Sequence, residues 1–384
     1  MPESPARHGW AAKPQEVETM AEHPHYLLRS EFPRLLSALA SAGYRCVGPR
    51  VRDGAIVYEP ISGVDELPKG VHDRQAPGQY GLEQTDEPRF FAWANGPQAL
   101  RPLTFAGRDK LWSAERKPDG SIDFKSGPPE AEPVAVIGAR ACDLAALYIY
   151  DRHFMQSAYP DPWYTARRQK LFLVAVHCTH PSLNCFCAST GDGPRATYGY
   201  DLALSELDEG FLIEARSEKG ERILATLPVR EASAEQIETA DREIEDAGRR
   251  QVKGVPSRNL KDVLFARLDH PRWNEVAQRC LSCTNCTLVC PTCFCHSEND
   301  VTSLDGTRSE HYREWDSCFT QRHSYIHGIT IRPDTRTRYR QWLTHKVGSW
   351  HDQFGRSGCV GCGRCITWCP VGIDITEELA AICR

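Results

Sequence analysis

The sequence lacks any apolar run near the ~20 residues that a membrane-crossing helix needs; its longest, such as Leu171-Phe-Leu-Val-Ala-Val176, is strand-sized. Residues 1–10 also lack the basic-then-apolar pattern of a secretion signal, which points to a cytoplasmic chain with reduced thiols. An excess of one charge is missing too. Lys plus Arg number 46 against 51 Asp plus Glu, a net charge of −5, so no basic surplus marks a nucleic-acid binder. No Gly-x-Gly-x-x-Gly follows a strand-like run, because Gly138-Ala-Arg and Gly191-Asp-Gly193-Pro-Arg both depart from it, and no Walker A sequence is found. A nucleotide is therefore expected on a partner. No Ser/His/Asp or paired-carboxylate spacing predicts a catalytic residue either, so the chain is expected to move electrons rather than to transform a substrate alone.

Cysteine is abundant. Of seventeen in 384 residues, five (Cys46, Cys142, Cys178, Cys185, Cys187) precede residue 280 and twelve lie from Cys280 onward. Cys280, Cys283 and Cys286 lead to Cys290-Pro291, and the same spacing returns as Cys359, Cys362, Cys365 and Cys369-Pro370. Three thiolates two residues apart can wrap one corner of a cubane, while the fourth cysteine of such a motif ligates the other cluster in two-cluster ferredoxins. The spacing thus assigns Cys280, Cys283, Cys286 and Cys369 to one [4Fe-4S] cluster and Cys359, Cys362, Cys365 and Cys290 to a second. Structural zinc favours two separated ligand pairs, and disulfides belong to oxidising compartments, so neither explains the doubled pattern.

Cys142, Cys178, Cys185 and Cys187 make a further set of four, the first two each following an apolar strand. That count suits a third [4Fe-4S] cluster; other metal use and simple burial remain as alternatives. Cys293, Cys295 and Cys318, with His296, are one thiolate short of another set, and burial beside the clusters is the plainer reading. Cys46 and Cys383 are isolated and read as structural. Arg332, Arg336, Arg338, Arg340 and Lys346 form a basic run that tunes a cluster, docks an acidic partner or is a solvated helix face. His177 and His180 flank Cys178 and read as hydrogen-bond donors, and Trp315 and Trp368 as water-excluding neighbours of the clusters.

The 384 residues allow two or three domains. Residues 1–130 read as irregular α/β. Pro133-Val-Ala-Val-Ile137 and Leu171–176 are buried-type strands, a helix-like stretch begins at Leu144, and Asp208-Glu-Gly210 joins a hairpin. Ser233-Ala-Glu-Gln236 resembles a capping box ahead of a polar connecting helix. Leu260, Val263, Leu264, Leu268, Trp273 and Val276 predict a helix pair broken at Pro271, and a helix is expected over 335–354. The expected class is α+β: a mixed α/β domain over 1–255, then a helical, ferredoxin-like, two-cluster domain over 256–384. The long insert between the motifs resembles the helical ferredoxin domains of fumarate-reductase-type iron-sulfur subunits.

Five segments together resemble one family: Gly138-Ala-Arg-Ala-Cys-Asp-Leu144, Cys185-Phe-Cys187 with Gly191-Asp-Gly-Pro194, residues 280–295, Arg313-Glu-Trp-Asp-Ser-Cys318, and 358–374. The chain is similar to the iron-sulfur beta subunits of cytoplasmic NAD(P)-linked nickel-iron hydrogenases, or sulfhydrogenases, and to the related A subunit of anaerobic sulfite reductase. The resemblance covers residues from about 130 onward. It implies an electron-transfer subunit between an NAD(P)H-binding flavoprotein and the large and small hydrogenase subunits, or, alternatively, the electron-input subunit of a sulfite reductase.

Overall fold

Strands β8 (Val134–Ala139) and β9 (Leu171–Val176) are buried along their whole length, the mark of parallel strands covered on both faces. Their side chains divide by alternation. Ala135, Ile137, Phe172, Val174 and Val176 enter one core, while Val134, Val136, Leu171, Leu173 and Ala175 enter another across the sheet. The computed structural model describes residues 24–128, 130–256 and 259–384; the leaderless start read over residues 1–10 lies outside them.

Around this pair runs an eight-stranded mixed sheet. In chain order its other members are β1 (His25–Leu28), β2 (Arg45–Arg52), β3 (Ala55–Pro60), β10 (Leu202–Glu206), β11 (Gly210–Ala215) and β12 (Arg230–Glu231). The spatial order is β12-β1-β11-β10-β9-β8-β2-β3, with β10, β9, β8 and β2 parallel and the flanking pairs antiparallel. β10 and β11 form the expected hairpin, and β4 (Val71–Ala76) and β5 (Gln79–Gln84) form a separate one outside this sheet. The polar helix Ala234–Arg249 starts at the expected box: Gln236 N–H donates to Ser233 Oγ at 3.2 Å, and Ser233 N–H to Gln236 Oε1 at 2.9 Å. It does more than connect, because Ala240 packs on Tyr26, Leu207 and Leu212 of the sheet.

The C-terminal third is built on a separate core. Leu260, Leu264, Trp273 and Val276, from helices Lys261–Phe265 and Arg272–Arg279, meet Tyr339, Trp342 and Leu343 of helix Thr335–Thr344 and Leu379 and Ile382 of helix Ile375–Cys383. Helix Thr335–Thr344 continues through a π-turn, His345–Ser349, into Trp350–Phe354, as the spacing over 335–354 predicts.

One part of the insert departs from the helical expectation. β13 (His296–Thr302) and β14 (Arg308–Trp315) form a hairpin, and β14 pairs antiparallel with β6 (Arg108–Arg116), which pairs with β7 (Ile122–Ser126). The strands are too polar for an apolar alternation to reveal them. Ion pairs and ring stacks hold them instead: Arg313 bridges Asp109 (2.9 Å) and Asp161, and Trp112 lies between His311 and Phe124. The fold is α+β, and this sheet joins strands from both sides of residue 255.

Candidate metal centres

Cys280 caps helix Arg272–Arg279, and Cys286 sits on the short helix Asn285–Leu288. Ser282 and Thr284 between them take positive φ (51° and 72°), which curls the loop so that its three sulfurs face one side. Cys369, from the second motif, completes the lining of a cavity shared with Phe319, Tyr339 and Trp342. Backbone donors point at the sulfurs: Ser282 N–H to Cys280 Sγ at 3.5 Å and Ile373 N–H to Cys369 Sγ at 3.3 Å. Cys283 is exposed.

The second set, Cys290, Cys359, Cys362 and Cys365, adjoins the first. Burial raises the Cys365 thiol well above its ordinary value, with Cys359, Cys362, Cys290 and then Cys286 adding to it. Beside Cys290 lies Lys346, only 4 % exposed, with Nζ 3.4 Å from Cys290 Sγ and 2.8 Å from Thr292 Oγ1. Burial works against the ammonium, but Cys290, Cys293 and Cys359 hold its pKa above the usual lysine value. A buried cation needs a buried anion, and here Cys290, held well below its ordinary value by Cys293 and Lys346, supplies it. The basic run therefore splits: Lys346 faces the sulfurs, whereas Arg338 and Arg340 donate to the carbonyls of Arg332, Phe319 and Leu268.

Cys142, Cys178, Cys185 and Cys187 also converge. Cys142 follows the carboxyl end of β8 and Cys178 that of β9, where parallel sheets present binding groups. The Cys187 thiol is raised by burial, then by Cys185 and Cys178, and accepts from Gln251 Nε2 at 3.3 Å; Cys185 is pushed up to about 12. The loop carrying Cys185 and Cys187 lies directly on the second motif, with Phe186 N–H donating to Gly361 O at 2.8 Å. A Cβ on Gly361 would stand 2.5 Å from the Cys187 backbone, so only glycine fits. Between Cys142 and Cys362 sits the fully buried pair Asp143–Arg364 (2.8 Å), with Asn95 Nδ2 2.6 Å from Asp143 Oδ2. His177 is neutral at ordinary pH, lowered to about 3 by burial, and its Nδ1 accepts from Ala196 N–H rather than meeting sulfur. His180 faces Asp73 and lies tilted against His72.

Among the described residues no three His, Cys, Asp or Glu side chains converge as tightly as a single ion requires. Sulfurs that share a cubane sit on different irons and stand farther apart, so sets of four thiols with a buried counter-cation suit polynuclear iron-sulfur groups. Trp368 stacks on Tyr80, and Trp315 on Phe105 and Arg101; both cover cluster-side loops. Cys46 packs in the main core and Cys383 against the C-terminal one. The sequence reading missed the burial of Lys346 and the Asp143–Arg364 pair. Arg364 lies between two motif cysteines, which was the available signal.

Residues 279–373 match the model of the 4Fe-4S dicluster domain. These residues are a dicluster domain. The chain is also a homologue of "Sulfhydrogenase 2 subunit beta" of Pyrococcus furiosus, 28% identical over 356 residues that span 92% of this chain and 96% of that relative. No solved structure matches. With its dicluster domain, the chain is an iron-sulfur electron-transfer subunit.

Proposed function

We propose that this chain is the cytoplasmic wire of a nickel-iron hydrogenase complex, relaying electrons between an NAD(P)H-binding flavoprotein subunit and the hydrogenase small and large subunits. One observation carries the reading: the three cysteine sets form an unbroken sequence of neighbours, Cys286 beside Cys290 and Cys362 beside Cys142. In this assignment Cys280, Cys283, Cys286 and Cys369 hold the first [4Fe-4S] cluster, Cys290, Cys359, Cys362 and Cys365 the second, and Cys142, Cys178, Cys185 and Cys187 a third. Such cubanes, when bound, store and pass single electrons. The residues around them do the rest: Lys346 and Arg364 compensate negative charge, Tyr339 and Trp342 exclude water, and Gln251 and backbone N–H groups donate to sulfur. Residues 1–255 carry the third site and 256–384 the first two, with the β13–β14 hairpin docked on β6 across the boundary.

Iron and acid-labile sulfide on anaerobically purified protein test the ligand sets: Cys142→Ser is expected to lose about four irons per chain, and an unchanged iron content in that variant confines the path to the dicluster domain. Nickel in the complex that copurifies with the chain tests the partner. The similarity to a sulfhydrogenase beta subunit over 96% of its length favours the hydrogenase reading over an anaerobic sulfite reductase, which a siroheme absorption band in the complex would reveal instead.

A further inference from the structure

Three cysteines of the dicluster domain stand outside every set named above: Cys293, Cys295 and Cys318. The fold gathers them. The hairpin pairs His296 with Trp315, and Asp316 N–H donates to Cys295 O at 3.0 Å, which brings Cys295 beside the turn holding Cys318. Ser317 fixes that turn against the first motif, accepting a hydrogen bond from Thr287 Oγ1 at 2.7 Å. Cys293 is buried, its carbonyl accepting from Tyr150 Oη at 2.6 Å, and the next side chain, Phe294, is anchored between His153 and Trp350. Cys295 and Cys318 are thereby neighbours, with His323 on the Cys295 side, while Cys293 lies against Cys290 of the second set.

His323 is held as a metal-ligating imidazole is held. Its Nδ1 faces Asp316 Oδ2 at 3.4 Å, and Asp316 is itself fixed by Ser317 N–H (2.7 Å) and Thr320 Oγ1 (2.8 Å) on its other oxygen. A carboxylate behind a histidine sets the ring's tautomer and aims the remaining nitrogen at a ligand. His296, the histidine nearest in sequence, is turned away: its Nδ1 meets Phe294 O, and its ring lies edge-on to Phe105. Lys346 lies against this group as well as against the second set, so it adds a buried positive charge beside the thiols.

We propose that Cys293, Cys295, Cys318 and His323 form a further iron-sulfur site, with three thiolates and one imidazole, between the two cysteine sets of the dicluster domain. Four ligands of this kind satisfy a cubane, and exchanging one thiolate for a neutral imidazole removes one negative charge, which raises the potential, as histidine ligation does in Rieske centres. The site lies beside Cys286 of the first set and Cys290 of the second, so it is placed to hold an electron drawn from either.

The test uses the full-length chain, purified anaerobically, with iron, sulfide and zinc analysis and pulsed electron paramagnetic resonance during a reductive titration. In the parent, a nitrogen hyperfine coupling is expected on the cluster signal that appears at the highest potential. Cys295→Ser and Cys318→Ser are expected to lose about four irons per chain while the signals of the all-cysteine clusters persist. His323→Cys is expected to keep the iron, lose the nitrogen coupling and reduce at lower potential; a merely structural histidine would change none of these. Unchanged iron in both serine variants, zinc in place of iron, or a disulfide between Cys295 and Cys318 in the parent protein would overturn the proposal. Loss of the all-cysteine signals in the parent itself would instead indict the ligand sets proposed above.

Discussion

The two halves of the dicluster domain repeat one cysteine spacing in opposite surroundings. Ser282 and Gly361 occupy equivalent places, as do Thr284 and Gly363, and all four take positive φ, between 51° and 73°. The loop conformation is therefore demanded by the motif, but glycine is not. In the first motif the loop borders an accessible cavity, Cys283 is exposed, and side chains are carried at some backbone strain. In the second, the backbones of Cys187 and Asn184 press on the loop and leave no room for a Cβ. The buried cations Lys346 and Arg364 also lie on the second side. On the proposed path, one spacing serves as an outward terminal and an interior relay, set apart by what packs on each.

The largest test of that contrast is to remove one ligand on each side. Cys362→Ser and Cys283→Ser are each expected to cost about four irons per chain, but only the former separates the first site from the third; iron analysis with stepwise reduction reads both. If Cys362→Ser still allowed electrons to pass from the first set to the third, the interior-relay assignment would fail. Lys346→Met comes next. Losing a buried cation beside Cys290 is expected to lower the midpoint of the second cluster by roughly 60 mV, the one-electron equivalent of about 1.4 kcal/mol, and to leave the first nearly unmoved. Potentiometric titration followed by electron paramagnetic resonance distinguishes the two.

Loop packing gives a subtler comparison. Gly361→Ala is expected to destabilise by about 1–3 kcal/mol in denaturant unfolding, through positive φ and the clash with Cys187, whereas Ser282→Gly at the equivalent place is expected to shift stability by less than about 1 kcal/mol. Equal costs would mean that the third-site loop does not bear on the motif. The smallest effect is far from both: Ser233→Ala removes the helix cap of Ala234–Arg249, costs about 1 kcal/mol and is expected to leave every cluster signal intact.

Much of the arrangement was legible because cysteine spacing and apolar runs are local. The doubled motif, the two buried parallel strands, the β10–β11 hairpin, the Ser233 capping box and the helix over 335–354 all follow from neighbours within a few residues. The β13–β14 hairpin was not legible: its residues are polar, and its partner β6 is far away in sequence. Lys346 was left open between tuning a cluster and a solvated face, because a lysine in a basic run looks solvated until the chain folds it against Cys290. His323 gave no signal at all. It lies five residues past Cys318, and only the hairpin and Asp316 turn it toward Cys295.

The sequence by itself determined that this chain offers thiolates in sets of four, that eight of them follow a two-cluster pattern, and that an α/β unit precedes them. Spacing along the backbone suffices for that, since three sulfurs two residues apart reach one cluster whatever surrounds them. Only the tertiary structure decided which sets are neighbours, which motif faces outward, and which cations are buried against sulfur. Those depend on contacts between residues far apart in the chain, such as Asp143 with Arg364, 221 positions on, and on desolvation, which no local pattern encodes.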